Sequence, residues 1–186
     1  HQTDSNGKGV YRVYVEGGVK INREIYLGFV LDRSSQRVMI VSSAEGGMEI
    51  EDISANKPES IVRSTVEPAV GLQDFQCRQI AFKLGIDPVL TQSMVRTLQG
   101  CYRAFREYDA TMVEINPLVV TEDNRILALD AKMTFDDNAL FRHPYISELR
   151  DKSQEDPRES RAADRGLSYV GLEGNIGCIV LSLIHI

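Results

Sequence analysis

The sequence predicts an α+β fold, in which strands and helices occupy separate stretches of the chain. Residues 10–67 are rich in β-branched and aromatic residues interrupted by turn residues, which is typical of strands. Residues 77–107 instead carry apolar residues three and four positions apart, as helices do, and residues 112–132 return to a strand pattern. Strands and helices segregated in this way favour an α+β domain over alternating β–α units.

Four strands are expected in the N-terminal part, at residues 10–16, 24–32, 37–43 and 61–67. The polar residues at 32–36 predict a hairpin loop between the second and third of these strands. Pro68 ends the fourth strand, because proline cannot donate a hydrogen bond to a β-ladder and keeps the preceding residue out of the helical conformation.

Two helices are expected next. The first ends at Gly85, and its apolar face consists of Cys77, Ile80, Ala81 and Leu84. The second is longer and begins after Asp87 and Pro88, with an apolar stripe formed by Leu90, Met94, Leu98, Cys101, Tyr102 and Phe105. Such stripes predict side chains packed in the core rather than at a functional site.

A second hairpin is expected at residues 112–121 and 125–132, around a polar turn at 122–124. If the turn is centred on Asp123, the residue numbers of antiparallel partners sum to 246, which is twice 123. The register of this hairpin therefore follows from the sequence.

This register places Glu114 opposite Lys132 and Asn116 opposite Asp130, and the two-residue period of a strand points all four to one face. Magnesium prefers oxygen ligands, so Asn116 and Asp130 are candidate metal ligands that phosphates and waters would complete. The alternative is a solvated hairpin face with a cross-strand ion pair between Glu114 and Lys132. A bulge at Pro117 would break the register.

Charge and cysteine content argue against several classes of protein. The 186 residues include 21 Lys and Arg against 27 Asp and Glu, giving a net charge of −6, with no Trp. This acidic balance argues against a nucleic-acid or polybasic membrane surface, and no apolar run approaches the roughly 18 residues of a membrane span. Cys77, Cys101 and Cys178 are odd in number and widely spaced, which argues against a disulfide framework or zinc site and favours a reducing compartment.

The C-terminal part begins with the charged, nearly apolar-free residues 148–165, which predict a linker or an exposed helix. Residues 167–170 are expected to form a strand. Gly171, Gly174 and Gly177 then hint at a close approach to phosphate, although their spacing matches neither of the common phosphate-binding glycine motifs.

Five motifs occur in an order that resembles the β subunit of succinyl-CoA synthetase, also called succinate–CoA ligase. They are EINPL at 114–118, LDAK at 129–132, FDDNALFRHP at 135–144, SQEDPRE at 153–159 and GNIGC at 174–178. The resemblance runs from about residue 2 to residue 180 and so covers nearly the whole chain.

The resemblance implies a domain organisation. Residues 1–150 would be part of an ATP-grasp nucleotide-binding domain, 151–165 a charged linker, and 166–180 the first strand region of a flavodoxin-like CoA-ligase domain. It also implies that the family's chain extends beyond both ends of this one, so that this piece alone is expected to be inactive. Residues 181–186 depart from the family pattern and are expected to be a non-native tail.

The resemblance also implies ligand-binding residues. Asn116 and Asp130 match the family's Mg²⁺ ligands, the same pair that the hairpin register suggests. Glu16, Val19 and Glu24 fall in the segment that contacts the base and ribose of ATP or ADP.

Glu114 matches a glutamate that faces the phosphohistidine site, where a carboxylate can orient an imidazole. The implied reaction joins succinate to CoA at the expense of ATP, a step of the tricarboxylic acid cycle, through a histidine on a partner α subunit. His143 is expected to be structural. The implied location is the bacterial cytoplasm or, alternatively, the mitochondrial matrix.

Two alternatives remain open. A malate–CoA ligase β subunit shares the same motifs, and we favour succinate on the residues DRSSQR at 32–37 and GNIGC at 174–178. The chain could instead be a non-catalytic nucleotide-binding or assembly fragment.

Overall fold

The structure is a computed structural model that describes residues 13–151, 155–172 and 174–180. The chain divides into two compact units. The first spans residues 14–147, and the second contains the described residues from Glu148 onwards.

Within the described residues, six strands form one antiparallel sheet in the first unit. They are β1 (Ile21–Asp32), β2 (Arg37–Ser43), β3 (Ile61–Val66), β4 (Ala110–Thr121), β5 (Ile126–Ala128) and β6 (Ala131–Phe135). The strand order is β3-β2-β1-β4-β5, and β6 pairs with β4 beyond the end of β5. The expected hairpins β1–β2 and β4–β5–β6 are therefore confirmed.

Helices connect and flank the strands. They are α1 (Ile50–Asn56), α2 (Asp74–Lys83), α3 (Thr91–Glu107), α4 (Pro144–Glu148) and α5 (Pro157–Ala163), with short 3-10 turns at Pro58–Ser60, Pro88–Leu90 and Asp137–Arg142. The two predicted helices correspond to α2 and α3 and are confirmed. The expected end of the first is confirmed too, since Gly85 adopts a φ of 65°, a conformation that favours glycine.

The core lies between α2, α3 and one face of the sheet. β1 contributes Ile25, Leu27 and Phe29, and the helices contribute the side chains predicted from their apolar stripes, including Cys77, Ile80, Met94 and Leu98. The guanidinium of Arg23 ties α2 to β1 by donating hydrogen bonds to the carbonyl oxygens of Leu84 and Gly85. A cation at these carbonyls also complements the negative end of the helix dipole.

The predicted register of the second hairpin is confirmed along its length. Pairs such as Val120 with Ile126 and Glu114 with Lys132 all keep the expected sum. The bulge considered at Pro117 does exist, but it lies in the pairing of β4 with β1 and not in the hairpin. Between β1 and β4 the register shifts between Ile25 and Leu27, so that one residue of β1 faces two residues of β4.

Two predicted strands are wrong. Residues 13–16 have no strand pairing, and Val13, Tyr14 and Val15 are 77–89% exposed. Residues 167–170 are likewise irregular, with Leu167 and Val170 exposed. A strand needs a partner for its backbone groups and a surface to bury its apolar side chains, and neither segment has these within the described residues. Residues 10–12 of the first expected strand lie outside the described residues.

The charged segment after residue 148 contains α5, an exposed helix, which confirms one of the two expected alternatives. Residues 152–154, which include the first two residues of the SQEDPRE motif, and the suspected tail at 181–186 lie outside the described residues. None of the described helices is long and apolar enough to cross a membrane.

Candidate functional site

The sheet face opposite the core gathers most of the candidate residues. Since Ile25 and Leu27 of β1 point into the core, Glu24 and Tyr26 lie on the opposite face. On β4, Val113 and Ile115 point into the core, which places Glu114 on the opposite face as well. We call the surface formed by Glu24, Tyr26, Gly28, Glu114 and Asn116 the polar face.

A glycine loop after β2 joins Asn116 to Glu24. The amide N–H of Gly47 donates to Oδ1 of Asn116 at 2.8 Å, and Nδ2 of Asn116 donates to the carbonyl of Met48 at 2.9 Å. The amide N–H of Gly46 donates to the carbonyl of Glu24 at 3.3 Å. Gly47 has a φ of 72°, and a Cβ atom there would lie 2.4 Å from Oε2 of Glu24. The loop therefore holds the Asn116 side chain by two hydrogen bonds and lies against the Glu24 carboxylate.

Asp130 lies beside Asn116 in the hairpin, where the Asn116 amide N–H donates to the Asp130 carbonyl at 3.3 Å. The Asp130 side chain is exposed, and among the described residues it takes part in no hydrogen bond or ion pair. Asn116 Oδ1 keeps a second lone pair after accepting from Gly47. One amide oxygen and one carboxylate, on residues that face each other in the hairpin, are the ligand types that the protein usually supplies to Mg²⁺, with substrate phosphates and waters completing the site.

No described group of three or more His, Cys, Asp or Glu side chains is placed to hold a metal by itself. A cation at Asn116 and Asp130 would thus need ligands from outside the protein, as Mg²⁺ in nucleotide sites does.

Glu114 has a different neighbour from the one that the ion-pair alternative requires. It is paired with Lys132 in the ladder, but the described residues show no ion pair between the two side chains. Its neighbour is Tyr26, which is only 6% exposed. Burial, followed by the negative charge of the nearby Glu114 carboxylate, raises the pKa of Tyr26 to about 12. The phenol therefore stays protonated and can donate to the carboxylate.

The electrostatics around Tyr26 are negative. The charges of Glu51 and Glu49, near the start of α1, add to that of Glu114 in raising the pKa of Tyr26. A bare phosphate is repelled by such a surface, whereas a divalent cation is attracted to it. A phosphate-bearing ligand would therefore approach together with a cation.

Among the described residues, no hydrogen bond or ion pair brings Glu16 or Val19 to this face. Glu16 is exposed in the irregular segment before β1, and Val19 is half-buried there. Their assignment to the base and ribose stays a prediction.

The residues that the sequence analysis missed are Tyr26 and the loop at 46–48. Tyr26 could have been found from the period of β1, because residues 25, 27 and 29 are apolar and Glu24 was already a candidate. The loop offered only the Gly46-Gly47 pair as a signal.

His143, Cys77 and Cys101 have structural surroundings rather than catalytic ones. Nε2 of His143 donates to a carboxylate oxygen of Asp109 at 2.6 Å, and the His143 ring meets Tyr108 edge-on at 6.1 Å. Burial raises the pKa of the Cys77 and Cys101 thiols to about 11, so neither is an activated nucleophile.

Comparison with known proteins defines the class of protein. Residues 1–120 match the ATP-grasp domain family, and the chain belongs to that family. It is 63% identical over 179 residues to a protein named probable malate–CoA ligase subunit beta from Mesorhizobium japonicum. It is 51% identical over 180 residues to the succinate–CoA ligase [ADP-forming] subunit beta of Nitratiruptor sp..

These alignments cover 96% and 97% of the chain but 45% and 46% of the relatives, so the chain spans about half the length of the curated relatives it matches. Among solved structures, ATP citrate lyase from Methanothrix soehngenii superposes with a TM-score of 0.57 at 17% identity, over 80% of this chain and 34% of that one. This likeness supports the fold.

Proposed function

We propose that this chain supplies the nucleotide and Mg²⁺ site in the β subunit of an ADP-forming succinate–CoA ligase. The observation that carries the proposal is the polar face, where Glu24, Glu114 and Asn116 share one surface beside Asp130, within a chain about half identical to β subunits of that name. The partner would be an α subunit that carries the phosphorylated histidine and binds CoA, and the location would be the bacterial cytoplasm.

Each residue would have its own part. Asn116 and Asp130 would hold Mg²⁺, which would neutralise charge on the phosphates of ATP or ADP. Glu24, with Glu16 and Val19, would contact the base and ribose. Glu114 would accept a hydrogen bond from the imidazole of the α-subunit histidine and keep it oriented for phosphoryl transfer.

Malate is a second candidate substrate in place of succinate. It is favoured by the 63% identity to the malate–CoA ligase relative, against 51% for the succinate–CoA ligase relative. The thioester formed by the purified complex, identified by mass spectrometry with succinate and malate in competition, decides between the two acids.

The test of the proposal uses the complete β subunit carrying this sequence, co-expressed with its α subunit. Incubation with Mg²⁺ and radiolabelled ATP is expected to label a histidine of the α subunit. Asp130→Ala should lower the rate of labelling by about 100-fold or more, because the metal loses its only full protein charge there. Glu107→Gln, at the exposed end of α3, is the control and should leave the rate unchanged.

A wild-type complex that labels no histidine contradicts the proposal and favours a non-catalytic nucleotide-binding or assembly protein. Labelling that survives Asp130→Ala contradicts the metal assignment alone.

A further inference from the structure

The ring of Tyr26 lies along the polar face over Gly28. A Cβ atom added at Gly28 would lie 2.9 Å from the Tyr26 hydroxyl oxygen and 3.3 Å from ring atom Cε1. Tyr26 and Gly28 are two positions apart on one strand, so their side chains share a face. The absence of a side chain at Gly28 is therefore what leaves room for the tyrosine hydroxyl.

This placement brings the hydroxyl to Glu114. Gly28 is the direct partner of Glu114 in the β1–β4 ladder, so a group lying over Gly28 lies beside the Glu114 side chain. The bulge between β1 and β4 lies at the same point, since Tyr26 alone faces both Asn116 and Pro117. The Tyr26 hydroxyl and the Glu114 carboxylate are therefore neighbours on the polar face.

We propose that Tyr26 is a positioning residue, whose hydroxyl holds the Glu114 carboxylate in the orientation needed to receive the partner histidine. This inference rests on the proposed function. A carboxylate offers two oxygens, so one can accept from the phenol while the other accepts from an imidazole N–H. Among the described residues, Lys132 makes no ion pair with Glu114 that would pull the carboxylate away. Tyr26 does not itself touch the reacting atoms.

The experiment uses the complete αβ complex with Tyr26→Phe, which removes only the hydroxyl, and with Gly28→Ala, which forces the hydroxyl away. Each should lower kcat for histidine phosphorylation by about 10-fold, as loss of an orienting hydrogen bond commonly does, with KM for ATP changed by less than about twofold. Tyr102→Phe is the matched control. Tyr102 is also buried, and its hydroxyl meets Arg106 on α3, away from the polar face.

A double variant separates positioning from simple packing. If Tyr26 acts through Glu114, adding Tyr26→Phe to Glu114→Gln should lower kcat no further, whereas independent effects would multiply. Thermal unfolding of every variant is measured alongside, and Tm for Tyr26→Phe should match that for Tyr102→Phe.

The outcomes separate the two proposals. Unchanged kcat in Tyr26→Phe, or a matching loss of kcat and of nucleotide affinity, overturns the positioning role while the ligase assignment stands. Multiplying effects in the double variant overturn it too. A wild-type complex without phosphorylation overturns the proposed function, and the role of Tyr26 falls with it.

Discussion

Gly46 shows how much a single residue can determine at this site. The loop after β2 approaches β1 so closely that a Cβ atom at Gly46 would lie 2.4 Å from the backbone nitrogen of Ile25 and 2.6 Å from the carbonyl carbon of Glu24. Neither backbone atom can move without disturbing the β-ladder. The same loop orients Asn116, so the space at Gly46 matters both for stability and for the orientation of that side chain.

We therefore expect Gly46→Ala to lower the free energy of unfolding by about 1–3 kcal/mol, the usual cost of overpacking a well-packed site. Gly100→Ala is the matched control, because Gly100 lies within α3 and, apart from the adjoining helix backbone, nothing lies within 4 Å of the added Cβ. That change should stabilise the protein by up to about 1 kcal/mol. Urea unfolding of both variants measures the change in the free energy of unfolding and its sign. Equal changes in the two variants would refute the close approach of Gly46 to β1.

At the scale of residues, the sequence could predict those parts of the site that depend on local periodicity. Asn116 and Asp130 are opposite each other because the turn between them is short and polar. The contact of Asn116 with Gly47 spans 69 positions in the chain, and no local pattern encodes such a contact. The two-residue period of β1 could have placed Tyr26 on the polar face. Its proximity to Glu114 depends on the β1–β4 register and its bulge, which the sequence did not reveal.

At the scale of elements, the long helices and strands with a strong periodicity could be predicted from the sequence. α3 has an apolar stripe along 17 residues, and its burial matches that stripe. α1 was not predicted, because seven residues with one buried side chain, Ile53, carry too short a pattern. Residues 13–16 have the composition of a strand, but composition cannot supply a pairing partner.

The junction between α3 and β4 depends on one carboxylate. Asp109 follows α3 with a φ of 49°, and its side chain accepts two hydrogen bonds from the Arg142 guanidinium, both at 2.7 Å, and one from His143. These bonds lower the pKa of Asp109, with Arg142 the largest cause and His143 the second. The carboxylate thereby fixes the segment that leads into α4.

The lowered pKa predicts the direction of the pH dependence. A carboxyl group whose pKa is lower in the folded state stabilises the fold above its unfolded pKa, and this contribution is lost as the pH falls through the folded value. Asp109→Asn should therefore reduce stability at neutral pH, and the difference from wild type should shrink below about pH 4, the usual range for aspartate. Asparagine tolerates the positive φ, so backbone strain does not confuse the comparison.

Urea unfolding at a series of pH values checks this expectation. The exposed Asp137 lies in the same segment, and Asp137→Asn serves as the control, with a small difference from wild type at every pH. If Asp109→Asn and wild type differed equally at pH 7 and pH 3, the ion pair would not be the source of the stability.

At the scale of the whole molecule, the apolar core belongs entirely to the first unit. Every buried hydrophobic side chain of the described residues lies between Ile25 and Ala139. From residue 148 onwards the apolar side chains are exposed, with Leu172 at 85%, Ile176 at 91% and Ile179 at 93%. Stability and solubility therefore depend on different parts of this chain.

A chain ending at Ser147 should consequently keep the fold of this one. All the burial that stabilises the sheet and helices is retained, so Tm should change by less than about 4 °C, which corresponds to about 1 kcal/mol. Removing the exposed apolar side chains should also lower the binding of a hydrophobic dye and the tendency to aggregate.

A chain ending at Thr121 is the control. It lacks β5 and β6, leaves β4 without its partners on one side, and should show no cooperative unfolding transition. If the chain ending at Ser147 also loses cooperative unfolding, residues after 147 must contribute to the core, and the division of the molecule into two units is wrong.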